Sequence, residues 1–100
     1  MSDNQILTIL IPPEVREDLT DWLLGIDPEL TFTTQVVEYH GAEPSALKTA
    51  EQVTGRQGRL RVEVQAGSER LSAMLEKLRG DFPASGWPYW IQDIADRGRL

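Results

Sequence analysis

The apolar positions change their period several times along the chain, and each change marks an element. Gln5–Ile11 reads Gln-Ile-Leu-Thr-Ile-Leu-Ile. It is short, β-branched and apolar at odd and even positions alike, which predicts a central strand. Pro12-Pro13 closes it, and proline suits the first position of a helix. Val15, Leu19, Trp22 and Leu23 then follow at helical spacing, with Glu14, Glu17 and Asp18 at the end where a helix favours negative charge. The spacing predicts a helix over Pro13–Leu24, with Gly25 as its stop. After the Asp27-Pro28 turn, Leu30–Tyr39 is rich in Thr, Val and aromatics and predicts a second strand, with Leu30, Phe32 and Val36 on one face. Leu60, Val62, Val64 and Ala66 alternate with Arg61, Glu63 and Gln65, a strand with one buried and one polar face. Leu71, Met74, Leu75, Leu78 and Phe82 return to helical spacing behind Ser68 as a cap, with Gly80 and Pro83 as stops. Trp87–Ile94 predicts a fourth strand, and a polar tail ends Asp96-Arg97-Gly98-Arg99-Leu100.

The order βαββαβ is that of an α+β, ferredoxin-like sandwich. Right-handed crossovers put both helices on one face of the sheet. The other face is left open for a partner, a ligand or a second copy. The second and third strands should form a hairpin, yet His40–Gly58 separates them, against the 2–5 residues that a hairpin loop needs (about 12–15 already marks a loop as unusual). Ala46, Leu47, Ala50 and Val53 have helical spacing inside that segment.

Composition narrows the function. One hundred residues suit a single domain, 1–100. The absence of cysteine removes disulfide scaffolds, thiolate metal sites and a cysteine nucleophile. A net charge of −6 disfavours nucleic acid as a partner. No apolar run is long enough to span a membrane, and the N-terminus lacks the pattern of a signal peptide, so the expected location is cytoplasmic.

Three stretches carry a family resemblance: Asp21-Trp22-Leu23-Leu24, Ala50-Glu51-Gln52-Val53-Thr54-Gly55-Arg56-Gln57, and the ending from Tyr89-Trp90-Ile91 to Gly98-Arg99-Leu100. Together they resemble the bacterial "domain of unknown function 3240" family over nearly the whole chain. That family is grouped with PII-like signalling proteins. The resemblance implies a PII-like βαββαβ subunit, a homotrimer, and a long T-loop between strands 2 and 3, where His40–Gly58 lies. It also implies a link to heavy-metal efflux systems, beside which such proteins tend to be encoded. The chain departs from true PII proteins after the second helix. Arg79–Trp87 has no lysine for nucleotide phosphates, leaving the backbone amides at Gly80 and Gly86 as a weak anion cradle. The T-loop region has no tyrosine other than Tyr39 at the strand end, so tyrosine uridylylation has no target within it.

Two clusters are candidate sites. Arginine outnumbers lysine eight to two. Arg56, Gln57, Arg59 and Arg61 sit at the end of the long segment, and Arg97 and Arg99 in the tail. In a PII-like trimer these two groups would form opposite walls of a cleft for a small anion, held through planar two-pronged contacts. The alternative is ion pairing of Arg59 and Arg61 with Glu38 or Glu63. Glu38, His40 and Glu43 are the candidate metal ligands, although one histidine and no cysteine is a thin donor set. Trp87, Tyr89 and Trp90 fit core or interface better than base stacking. No triad, Walker loop or dinucleotide fingerprint is present, so no catalytic activity is expected. The expectation is a trimeric, PII-like regulator answering a small anionic ligand, with an unidentified protein partner such as a metal-efflux component. The alternatives are a metal-binding, divalent-cation tolerance protein of CutA-like architecture and an oligomerisation module without ligand. No cofactor is identified.

Overall fold

β1 (Gln5–Ile11) forms the middle of a four-stranded antiparallel sheet of order β2-β3-β1-β4. It pairs with β3 (Arg56–Ala66) on one edge and with β4 (Tyr89–Asp93) on the other. β2 (Phe32–His40) pairs with β3, from Phe32 opposite Val64 to His40 opposite Arg56. The computed structural model describes residues 4–41 and 56–100, with Arg56 and Gln57 described through their backbone alone. The expected short helix around Ala46–Val53 lies outside the described residues.

The strand pairing sets which side chains meet. Leu7 lies opposite Val64 and Ile91, Ile9 opposite Val62 and Tyr89, and Ile11 opposite Leu60. Side chains alternate along a strand, so these residues share one face. On that face lie two helices, α1 (Arg16–Ile26) and α2 (Ser68–Asp81). Leu19 and Leu23 of α1 and Leu71, Met74 and Leu78 of α2 complete the core with Leu7, Ile9, Ile11, Leu60, Val62 and Val64. Both helices on one face is the ferredoxin-like arrangement.

The helix ends differ from those expected. Pro13–Val15 is a single 3-10 turn before α1, with the Val15 N–H donating to the Pro12 carbonyl at 3.2 Å. Proline's missing N–H costs nothing in a first turn, which explains why the entry tightens here rather than breaking. Gly25 does not stop α1. The helix runs to Ile26 and ends where Asp27, in extended backbone, closes the last bond to the Leu23 carbonyl. Asp27 then builds the turn itself: its side chain accepts from the Glu29 N–H at 3.0 Å and its carbonyl accepts from the Leu30 N–H at 3.0 Å. Arg70, in the first turn of α2, pairs with the same carboxylate. At the start of α2 the capping position belongs to Gly67, and Ser68 is the first helical residue. Gly80 lies inside α2, which ends at Asp81 before Pro83 bars another turn.

The aromatics join the ends of these elements. The Trp22 ring meets Phe82 edge-on at 5.9 Å, and Phe82 leans on Trp87 at 5.1 Å. Trp22 Nε1 donates to Asp81 Oδ2 at 2.7 Å. One hydrogen bond and two ring contacts therefore hold α1, the end of α2 and the approach to β4 together. β2 contrasts with this. It has no buried residue, and Val36, expected on a buried face, is 75% exposed. Val36 lies opposite Leu60, where helix cover ends. Among the described residues no helix is long and apolar enough to cross a membrane.

Two outcomes follow from this packing. Leu71→Ala, at a fully buried site, should lower unfolding free energy by about 2–5 kcal/mol, while Val36→Ala in the dissociated chain should change it by less than about 0.5 kcal/mol. Urea unfolding at low protein concentration measures both, and equal losses would contradict the exposed placement of Val36. Asp81→Ala should cost about 1 kcal/mol and move the Trp22 indole N–H resonance, since it removes that donor's acceptor. An unmoved resonance would contradict the contact.

Candidate functional site: the arginines of the exposed sheet face

The sheet face away from the helices is built by the other half of each strand's alternation. β1 contributes Ile6, Thr8 and Leu10, flanked by Arg61, Glu63 and Gln65 of β3 and by Trp90 and Gln92 of β4. Thr8 is 1% exposed and Leu10 6%, although among the described residues no second layer of secondary structure covers them. Their described neighbours on this face are long: Arg61 lies opposite Leu10, and Glu63 and Trp90 lie on either side of Thr8. Such side chains lay apolar stems over the strand and keep polar ends in water. The face is thus apolar along its centre and carries charged and aromatic groups over it.

Arg61 is held by two neighbours. Its Nη2 donates to Gln35 Oε1 of β2 at 2.6 Å. Its Nε lies 3.6 Å from Glu63 Oε1, an ion pair too long for a hydrogen bond. That Nε is buried and has no hydrogen-bond acceptor among the described residues. A buried N–H without an acceptor is costly, so this position favours an incoming oxygen from water, an anion or another chain. Two pairs further out, the Arg59 guanidinium sits over the Tyr39 ring, 5.4 Å from its centre. Arg59 and Arg61 therefore share this face toward the hairpin end, and the expected Arg61–Glu63 pairing is present.

The other candidate residues are placed as follows. Arg56 lies opposite His40 and Gln57 opposite Tyr39, at the outer end of the hairpin. Arg97 and Arg99 are exposed in the tail. That tail leaves the sheet after Asp93, which pairs with Gln5 at the end of β1 opposite the hairpin. Within one chain the tail thus starts at one end of the sheet and Arg56 lies at the other. His40 Nε2 is 3.6 Å from Glu38 Oε2, both exposed on one strand. Glu43 lies outside the described residues. Among the described residues no three His, Cys, Asp or Glu side chains gather as a metal-ligand group.

The weak anion cradle expected after α2 is altered, because Gly80 is helical and its N–H belongs to α2. Gly86 and Ala84 both have positive φ, 70° and 55°. They shape a turn beside a cleft that sequence reasoning missed, lined by the end of α2, Trp87, Tyr89 and Arg79. The signal was there in the aromatic density of residues 82–90, but the pairing of Arg79 with Tyr89 crosses two elements and has no periodicity to reveal it.

Comparison with known proteins agrees with this fold. A Shewanella baltica OS155 protein of the DUF3240 family superposes with a TM-score of 0.77 at 21% identity, covering 100% of this chain and 99% of that one. A functionally unknown protein from Pediococcus pentosaceus gives a TM-score of 0.66 at 12% identity, with 100% of both chains covered. A Bacillus cereus protein related to NIF3 gives 0.68 at 11% identity over 98% of this chain and 27% of its own length. At these identities the likeness is one of fold. No curated protein matches the chain significantly in sequence. The family described as "Protein of unknown function (DUF3240)" matches residues 1–100, and the chain belongs to that family.

Proposed function

We propose that the protein is a PII-like regulatory subunit that assembles as a homotrimer and answers a small anionic ligand, without catalysing a reaction. One observation carries the reading: the sheet face away from the helices holds Arg61 with a buried Nε that has no acceptor among the described residues, beside a half-exposed Trp90. A second copy laid on this face would cover Trp90 and supply oxygen acceptors, and threefold assembly would give each copy two such neighbours. The family's PII-like grouping favours the same arrangement. Arg56, Gln57, Arg59 and Arg61 of one copy would then face Arg97 and Arg99 of the next, and an anion between them would bias the segment joining β2 and β3 toward a surface that a regulated protein reads. The metal reading has less support, since among the described residues Glu38 and His40 are two neighbouring donors rather than a set.

Light scattering at micromolar concentration should give a mass near three chains; a monomer rejects the proposal. Titration calorimetry with ATP and with inorganic pyrophosphate tests the anion site. Arg56→Ala or Arg99→Ala should weaken binding by about 1–3 kcal/mol and leave the assembly intact. Arg→Lys should also weaken it, because lysine lacks the two-pronged geometry. Unchanged affinity with a broken assembly would give these arginines a structural role instead. Zinc binding in place of anion binding would favour the metal reading.

A further inference from the structure

The helix side of the sheet contains a second feature, separate from the arginine face. Beyond the end of α2, where the chain turns back into β4, the core does not close. A cleft of about 230 Å³ opens there. Its floor is Ile9, Leu75 and Leu78, and its walls are Phe82, Trp87 and Tyr89. Arg79 is the one charged residue lining it among the described residues.

The walls are fixed in place. Phe82 is held between Trp22 and Trp87 by ring contacts. The strand entry is tied to β1 by the Leu10 N–H, which donates to the Pro88 carbonyl at 3.0 Å. The rim between them contains Ala84 at φ 55°, left-handed backbone that an alanine adopts only against a steric cost. Strain of this kind persists where surrounding contacts over-determine the chain, and it is concentrated at ligand clamps.

Arg79 is oriented as well. Its Nη1 donates to Glu76 Oε1 at 2.9 Å and its Nη2 donates to Tyr89 Oη at 3.0 Å. The guanidinium carbon lies 5.9 Å from the centre of the Tyr89 ring. A guanidinium has five N–H donors, and these contacts use two. The remaining donors are presented by a group already fixed in direction, which lowers the entropy lost on binding an oxyanion.

Size decides the ligand class. An apolar cavity of about 150 Å³ holds benzene, and drug-sized ligands occupy roughly 300–1,000 Å³. A cleft between these encloses one ring or two fused rings and is too small to enclose a nucleoside triphosphate. Three aromatic walls favour a flat body, and one cationic lining residue favours a single negative charge at its edge. We infer that this cleft is a binding site for a small planar aromatic acid, its ring between Phe82, Trp87 and Tyr89 and its carboxylate on Arg79. The inference does not depend on the trimer or on the arginines of the exposed face.

The test is nitrogen-15 NMR of the intact protein titrated with 2-naphthoate and, separately, with the uncharged 2-naphthamide. Naphthoate should move the backbone signals of residues 84–87 and the Trp87 indole N–H in a saturable way. Arg79→Gln should weaken naphthoate about tenfold, the loss expected for one charge-assisted contact. Wild-type protein should bind naphthamide about tenfold more weakly than naphthoate, and Arg79→Gln should abolish that discrimination. Tyr89→Phe removes the hydroxyl that orients Arg79 while keeping the ring, and should give a smaller loss; it also reports on the site if Arg79→Gln does not fold. No movement at residues 84–87 up to millimolar naphthoate overturns the inference. Equal binding of acid and amide, or unchanged affinity in both variants, overturns it too. Movement confined to the surroundings of Arg59 and Arg61 also overturns it, while leaving the anion site of the exposed face standing.

Discussion

β1 is hydrogen-bonded along both edges, to β3 and β4, and buries side chains on both faces. Among the described residues, only one of those faces receives helices. The chain must therefore cover the same strand twice, by different means. Leu7, Ile9 and Ile11 go under Leu19, Leu23, Leu71 and Leu78, in a close-packed apolar layer. Thr8 and Leu10 go under the side chains of their neighbours in the sheet, and that cover brings charged groups with it. The position of Arg61 follows directly. A shorter residue there would leave Leu10 wet, and a wholly apolar one would enlarge an exposed apolar stripe.

The two candidate sites share a physical origin, since each lies where covering β1 is incomplete. On the open face, the incompleteness is polar: Arg61 Nε is buried with no hydrogen-bond acceptor among the described residues. On the helix face it is apolar: α2 ends at Asp81 and β4 begins at Tyr89, so a cleft stays open between Ile9, Leu75 and Leu78 on one side and the intervening turn on the other. The first defect calls for oxygen and the second for a ring. The aromatic chain from Trp22 to Trp87 keeps the second from collapsing, because Asp81 fixes one end of it and the Pro88 carbonyl fixes the strand that follows.

The fold was legible in the sequence wherever a period was strong. The run Gln5–Ile11, the alternation from Leu60 to Ala66 and the stripes through Leu19, Leu23, Leu71 and Leu78 each correspond to an element with the expected face buried. Single punctuating residues were less informative. Gly25 and Gly80 lie inside helices, since a glycine lowers helix stability by only about 1 kcal/mol and packing on either side outweighs that. Proline at 83 and the Asp27 turn were better guides, because a missing donor and a side-chain acceptor act through specific bonds. Val36 has the right face and the wrong depth: periodicity reports direction, and depth depends on how far the helices reach. Of the candidate sites, the arginines of β3 were visible from charge against an acidic background. The Arg79–Tyr89 contact was not, because it arises from the turn geometry at Ala84 and Gly86 rather than from spacing.

β2 and β3 continue as a paired ribbon for four residue pairs beyond Val36 and Leu60, out to His40 and Arg56. At about 3.4 Å per residue this projects roughly 14 Å past Leu60, the last buried residue on that side of β3. Hydrogen bonds across the ribbon stiffen it, while nothing among the buried residues grips its outer half. Such a ribbon is a moment arm with its fulcrum at Leu60. Tilting it by 10° would carry the tip through roughly 2 Å, about two-thirds of a residue step along a strand. Arg61 sits immediately beside that fulcrum, on the inner side, where small changes in what it grips have the greatest leverage over where the far end points.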